Sequence, residues 1–167
     1  MTTKKFSNKQ EQLVASLLGW EVVPASGARD FNPGDIRSNQ WLGECKTHVS
    51  AGTSVKFFLD VWKKISEEAK QTFKFPVYIS DDGSQRIKRT WCLFDPSKVT
   101  SSDARYSLAT EIVGRKSISF DHDDMITKYR SNVLEFGENF CFRVSLGSAS
   151  LSLTTLETFA RLFGVNG

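Results

Sequence analysis

Three residues of this chain combine types and spacing that could do chemistry: Asp35, Glu44 and Lys46. They lie in the stretch 33–46, where Asn39 and Gln40 form a turn-tolerant pair between two short runs. If the chain reverses there, Ser38 falls opposite Trp41, and Asp35 therefore falls opposite Glu44. Strand side chains alternate between faces, so Glu44 and Lys46 project together while Cys45 points the other way. Two carboxylates facing each other across paired strands repel by up to about 1 kcal/mol unless a positive charge intervenes. A hard divalent cation fits that demand, because Mg²⁺ commonly takes only one or two protein carboxylates and fills its remaining positions with carbonyl oxygens and waters. Such an ion acidifies water and polarises a phosphoryl oxygen, the requirements of phosphodiester hydrolysis. Taken alone, the same three residues also describe exposed polar positions on a two-stranded ribbon. The elements around them must decide.

Upstream, Ser7 to Gln10 has the form of a capping box, and Leu13, Val14, Leu17 and Leu18 recur at helical spacing before Gly19 stops the run. Gln10 falls near the centre of that apolar stripe and Glu11 at its edge. Val22 and Val23 read as a short strand, and residues 26–34 as a loop rich in turn formers. Downstream, residues 50–54 read as a connection. Phe58, Val61, Trp62, Ile65, Ala69 and Phe73 predict an amphipathic helix over 55–73, ended by Pro76. Phe58 is expected in the core, whereas Phe57 is left open between core packing and an exposed ring able to stack on bases. Val77 to Ile79 reads as a buried strand, Asp81 to Gly83 as a turn, and Arg86 to Phe94 as a further strand.

This order of elements resembles that of the restriction-endonuclease-like superfamily, the PD-(D/E)XK nucleases, and within it archaeal-type Holliday junction resolvases and their phage-encoded relatives. The resemblance covers about residues 7–80 and rests on Glu11, Ser26 and Gly27, Asp35 and Ile36, and Glu44, Cys45 and Lys46. Gly34 stands between Pro33 and Asp35, a departure from the nominal motif. The resemblance implies an α/β (α+β) fold with a central mixed sheet flanked by helices. It implies Mg²⁺, with Mn²⁺ as substitute, held by Asp35, Glu44 and the Cys45 backbone carbonyl. Glu11 would join directly, through water, or as ligand of a second ion. Lys46 would orient or deprotonate the attacking water, or neutralise transition-state charge. DNA is the implied partner, with Lys4, Lys5, Lys9, Ser26, Arg29 and His48 as candidate contacts near the cleft. A homodimer is expected, since symmetric cutting of a four-way junction needs two active sites.

Length and composition agree with such an enzyme. The 167 residues, 40% of them hydrophobic, can bury one substantial core. Cys45, Cys92 and Cys141 are odd in number and lack C-x-x-C spacing, so they read as reduced thiols. No secretory core or membrane-length apolar run stands in the sequence, and the expectation is a soluble cytoplasmic protein with no nucleotide cofactor. A net charge of +3 permits nucleic-acid binding without requiring it. Lys63 and Lys64, and the cluster of Arg86, Lys88 and Arg89, read first as solvated faces. Walker, nucleophile-elbow and zincin motifs are missing. Asp121 to Asp124 contains metal-capable groups, but consecutive side chains rarely converge, and Asp121 or Asp123 suits a helix N-cap.

Past Asp95, Ile118 and Phe120 suggest a strand, 121–134 a helix and 140–144 a strand. A capping box at Thr154 to Glu157 opens a final helix stopped by Gly164. The chain reads as one domain, core 7–94 with a C-terminal elaboration over 95–167. The alternatives are a restriction or repair nuclease of the same fold acting on linear DNA, and a non-catalytic nucleic-acid-binding protein.

Overall fold

The structure is a computed structural model that describes residues 3–24, 33–47, 54–98 and 105–165. Its first half comprises α1 (Thr3–Leu18), β1 (Glu21–Val22), β2 (Ile36–Arg37), β3 (Trp41–Lys46), β4 (Ser54–Phe58), α2 (Leu59–Gln71), β5 (Phe75–Asp81) and β6 (Thr90–Phe94). The second half adds β7 (Arg105–Gly114), β8 (Ser117–Asp121), α3 (His122–Phe136), β9 (Phe140–Leu146), β10 (Ala149–Thr155) and α4 (Leu156–Phe163). One eight-stranded sheet runs β1-β2-β3-β5-β6-β10-β9-β7, and β4 pairs β8 in a separate ribbon. The β3–β5 and β7–β9 pairs are parallel and the other neighbours antiparallel, so the expected mixed sheet flanked by helices is present.

Strand alternation divides the core into two layers. Leu42, Tyr78, Trp91 and Leu93 pack with Trp62, Ile65 and Ala69 of α2, with Met125 and Tyr129 of α3, and with the β4–β8 ribbon. On the opposite face Trp41, Cys45, Val77, Ile79, Cys92 and Phe94 meet Val14, Ala15 and Leu18 of α1 and Leu156 and Phe159 of α4. Trp41, which opens β3, is gripped by rings: it stacks on Trp20 at 6.2 Å and lies 5.1 Å from Phe159 and 5.0 Å from Phe163. The root of the strand carrying Glu44 and Lys46 is therefore fixed by packing.

Several sequence expectations need correction. α1 begins at Thr3, placing Ser7 inside the helix, and the Gln10 side chain donates to Lys46 and Asp81 rather than closing a capping box. Residues 54–58 form a strand instead of a first helical turn, and its two-residue period buries Val55 and Phe57 while turning Phe58 outward. Helix α2 ends at Gln71, Phe73 adopts a left-handed φ of 57° and is 96% exposed, and Pro76 lies within β5 rather than terminating a helix. Residues Ile87–Arg89 form a 3-10 turn ahead of β6.

The C-terminal half is not an appendage. β10, β9 and β7 extend the same sheet, with β10 docked on β6. Thr155, not Thr154, caps α4, accepting from the Thr158 N–H at 3.2 Å, while the Thr154 hydroxyl donates to the Phe140 carbonyl. Asp121 caps α3 as expected.

The strand assignment for 54–58 makes a stability contrast. Phe57 is fully buried, with its ring 4.8 Å from Tyr78, and Phe58 is 41% exposed. Phe57→Ala is expected to cost about 3–5 kcal/mol and Phe58→Ala about 1 kcal/mol or less. Urea unfolding of both variants checks this; a larger loss at Phe58 would restore the helical reading.

Candidate active site

The β2–β3 hairpin places the carboxylates. Ile36 pairs with Gly43 and Arg37 with Leu42, so continuing the register puts Ser38 opposite Trp41 and Asp35 opposite Glu44, as the turn at Asn39 and Gln40 requires. The turn is held from two sides. The Ser38 N–H donates to the Trp41 carbonyl at 3.0 Å, and its hydroxyl oxygen accepts from the Trp41 N–H at 3.1 Å. Lys74 Nζ donates to the carbonyls of Ser38 and Asn39 at 2.6 and 3.1 Å. At the other end the Asp35 N–H donates to the Gly43 carbonyl at 2.8 Å.

Gly34 makes the approach to Asp35 possible. It has φ 72°, a Cβ there would meet Leu42 Cδ1 at 2.7 Å, and its N–H donates to Glu68 Oε2 at 3.0 Å. The residue that departs from the nominal motif is thus the one that lets α2 clamp the strand entrance.

Glu44 is 4% exposed although it is an acidic residue. Lys46 Nζ lies 3.4 Å from its Oε1, and Lys64 Nζ reaches the same oxygen at 3.7 Å from α2 while also pairing with Glu68 at 3.1 Å. Asp35 Oδ2 accepts the Cys45 N–H at 2.8 Å. Burial and then the negative charge of Glu44 push the Asp35 carboxyl up to about 6, against the opposing pull of the Cys45 N–H, Lys46 and Lys64. Glu11, reaching in from α1, is raised to about 7 by burial and then by the charges of Asp35 and Glu44, with Lys46 opposing. Three carboxylates therefore share one electrostatic site with Lys46 and Lys64 as its cations.

The Cys45 side chain is buried in the α1–α4 layer, and burial pushes its thiol well above the ordinary range. A second network holds the end of β3. Gln10, 2% exposed, donates to the Lys46 carbonyl at 2.7 Å and to Asp81 Oδ2 at 3.2 Å. Asp81 Oδ1 accepts from the Thr47 hydroxyl at 2.6 Å and from the Gly83 N–H at 2.8 Å.

Among the candidate DNA contacts, Lys9 is exposed on α1, and Lys4 and Lys5 lie in the first turns of that helix. Ser26, Arg29 and His48 lie outside the described residues. The residues 121–124 diverge: Asp121 caps α3, His122 Nδ1 accepts from Trp91 Nε1 at 3.0 Å, and Asp123 pairs with Arg89 at 3.1 Å. Sequence reasoning missed Gln10, Lys64, Glu68 and Asp81 as parts of the site. The i, i+4 spacing of Lys64 and Glu68 was a usable signal once α2 is known to start at Leu59.

Among the described residues, no three His, Cys, Asp or Glu side chains converge into a complete metal cage. The facing pair Asp35 and Glu44 would suit only an ion that takes one or two carboxylates and keeps its waters. Comparison of the chain with known proteins finds no matching family model, no matching curated protein and no matching solved structure.

The raised carboxyls of Asp35 and Glu11 make their own contribution to the pH dependence of stability. A folded pKa above the unfolded value contributes stability that is present below the unfolded value and is lost as pH rises through the folded one. For Asp35 and Glu11 that loss runs from ordinary values of 3.8 and 4.5 to about 6 and about 7. Asp35→Asn keeps an acceptor for the Cys45 N–H and removes one charge. In EDTA it is expected to melt above wild type at pH 7.5 and to lose that advantage near pH 4.5, while Mg²⁺ raises the melting temperature of wild type alone. A variant less stable than wild type at pH 7.5 would mean that no such repulsion is stored there.

Proposed function

We propose that this protein is a Mg²⁺-dependent endodeoxyribonuclease of the restriction-endonuclease-like, PD-(D/E)XK type, working on DNA in a cytoplasm, with branched DNA such as a Holliday junction as its preferred substrate. The observation that carries the proposal is the facing of Asp35 and Glu44 across the β2–β3 hairpin, with Lys46 beside Glu44 and with Glu11 near enough to feel the charge of both carboxylates. Asp35 and Glu44 would hold the ion, with the Cys45 carbonyl as a further donor and Mn²⁺ as a substitute. Bound there, the ion would supply an acidified water and a polarised phosphoryl oxygen.

The chain's own residues do the rest. Lys46 Nζ, 3.4 Å from Glu44, is half exposed and so reaches both the carboxylate site and an incoming phosphate. From that position it orients the attacking water or neutralises charge gathering on the phosphoryl oxygens. Glu11, raised to about 7 by burial and by the charges of Asp35 and Glu44 when no ion is bound, is placed where it could also join the ion directly or through water. Gln10 fixes the Lys46 backbone, so the lysine approaches from a rigid strand end rather than a loop. Lys64, tied to Glu68, maintains positive charge on the α2 side of the cleft. Paired cuts in a four-way junction need two such sites, which a two-fold dimer supplies.

Incubation of purified protein with four-way junction and linear duplex at low salt, with Mg²⁺ or Mn²⁺, tests the proposal. Wild type is expected to cut the junction faster than the duplex. Lys46→Ala and Glu44→Gln are each expected to slow cleavage roughly 100-fold or more. Junction, flap and duplex all left intact while still bound would overturn the enzymatic reading, and equal rates on linear DNA would overturn the branched preference alone.

A further inference from the structure

Lys46 pairs with Ser80, Ser80 with Trp91, and Trp91 with Thr155, so the catalytic end of β3 and the amino end of α4 lie in one row across the sheet. Three strand spacings separate them, roughly 14 Å. At the far end of that row a cleft of about 430 Å³ opens between α3 and α4. Lys88, Arg130 and Arg161 line it, opposed by Glu138 and Glu157. All three cations are exposed. Arg161 is held in place, donating from Nη2 to the Glu138 carbonyl at 2.7 Å and to the Thr158 hydroxyl at 3.4 Å. Neither Lys88 nor Arg130 forms an ion pair among the described residues. The floor is firm, because Thr155 and Tyr129 both hydrogen-bond to Thr158 beneath the cleft.

We infer that this cleft is a second nucleic-acid contact, binding a backbone phosphate of the DNA whose scissile bond lies over Asp35, Glu44 and Lys46. The inference rests on the nuclease reading for the position of the scissile bond. Cations from three separate elements, the 3-10 turn at 87–89, α3 and α4, converge there, and the first turn of α4 opens on the same cleft. Roughly 14 Å corresponds to about four base-pair steps at about 3.4 Å of duplex axis per step. A duplex or junction arm lying along the sheet end would therefore span both the cleft and the carboxylate site. By contrast, the larger cleft bordered by Lys63 and Lys70 is also lined by the start of β5 and the start of β10, at the opposite end of these strands.

The test is DNA binding in EDTA over a range of salt concentrations, comparing wild type, the double variant Lys88→Gln/Arg130→Gln, and the control Lys63→Gln/Lys70→Gln, which removes the same charge from the other end. The cleft variant is expected to bind about tenfold more weakly. Its log–log salt slope should fall by about 0.9 for one phosphate that is no longer neutralised, and by no more than about 1.8 if each of the two cations neutralises its own. The control should stay within about twofold of wild type. Unchanged affinity and slope in the cleft variant, an equal loss in the control, or no DNA binding by wild type would each overturn the inference. A further arm titrates inorganic phosphate: if it occupies the cleft at low millimolar concentration while DNA binding ignores both substitutions, the cleft takes a small anion and the inference falls. Because binding is read without metal, the two readings fail separately. DNA bound through the cleft but never cut with Mg²⁺ removes the nuclease alone, and cleavage indifferent to the cleft variant removes the cleft alone.

Discussion

The register of the β2–β3 hairpin is the constraint on which the rest of the site depends. A slip of one residue would move Asp35 off the face it shares with Glu44, because side-chain direction reverses at each step of a strand. The chain guards against that slip at several points. Ser38 closes the turn with its backbone and hydroxyl, Lys74 holds the turn carbonyls, and Gly34 passes close over Leu42 with its N–H directed to Glu68. Trp41, enclosed by Trp20, Phe159 and Phe163, ties the strand to α4, almost at the end of the chain. The second half of the sequence thus holds the first half's chemistry in place.

The fold gathers negative charge that its own cations only partly balance. Burial alone would favour neutral carboxyls, and the raised values for Asp35 and Glu11 reflect that cost together with mutual repulsion. Lys46 and Lys64 offset part of it from the edge of the cleft, each about half exposed. Repulsion of this kind works against the stability that the two apolar layers give the sheet. It is consistent with a site that awaits a cation.

Much of the site was legible in the sequence because strand and turn chemistry are local. The pair Asn39 and Gln40 sets the reversal, and the two-residue period then sets which side chains share a face. Long-range partners were not legible. Nothing near Gln10 in sequence signals that its amide meets Lys46 and Asp81, 36 and 71 residues away. Periodicity misled at 54–58, where a strand runs directly into a helix and apolar residues satisfy both repeats for a few positions, so Phe58, expected in the core, faces outward and Phe57, left open, is the buried ring. β10 escaped notice because Ser152, Thr154 and Thr155 are buried in the middle of the sheet, and polar residues there weaken the apolar signal of a strand.

The central claim is that Asp35 and Glu44 together hold a divalent cation. The most direct measurement is a Mn²⁺ titration of isotopically labelled protein, followed by loss of backbone amide signals near the paramagnetic ion. The account predicts that Asp35, Ile36 and Gly43 to Lys46 fade first at substoichiometric Mn²⁺, and that Asp35→Asn/Glu44→Gln abolishes the effect there. Fading centred on another part of the chain, or fading in the hairpin that survives both substitutions, would contradict it.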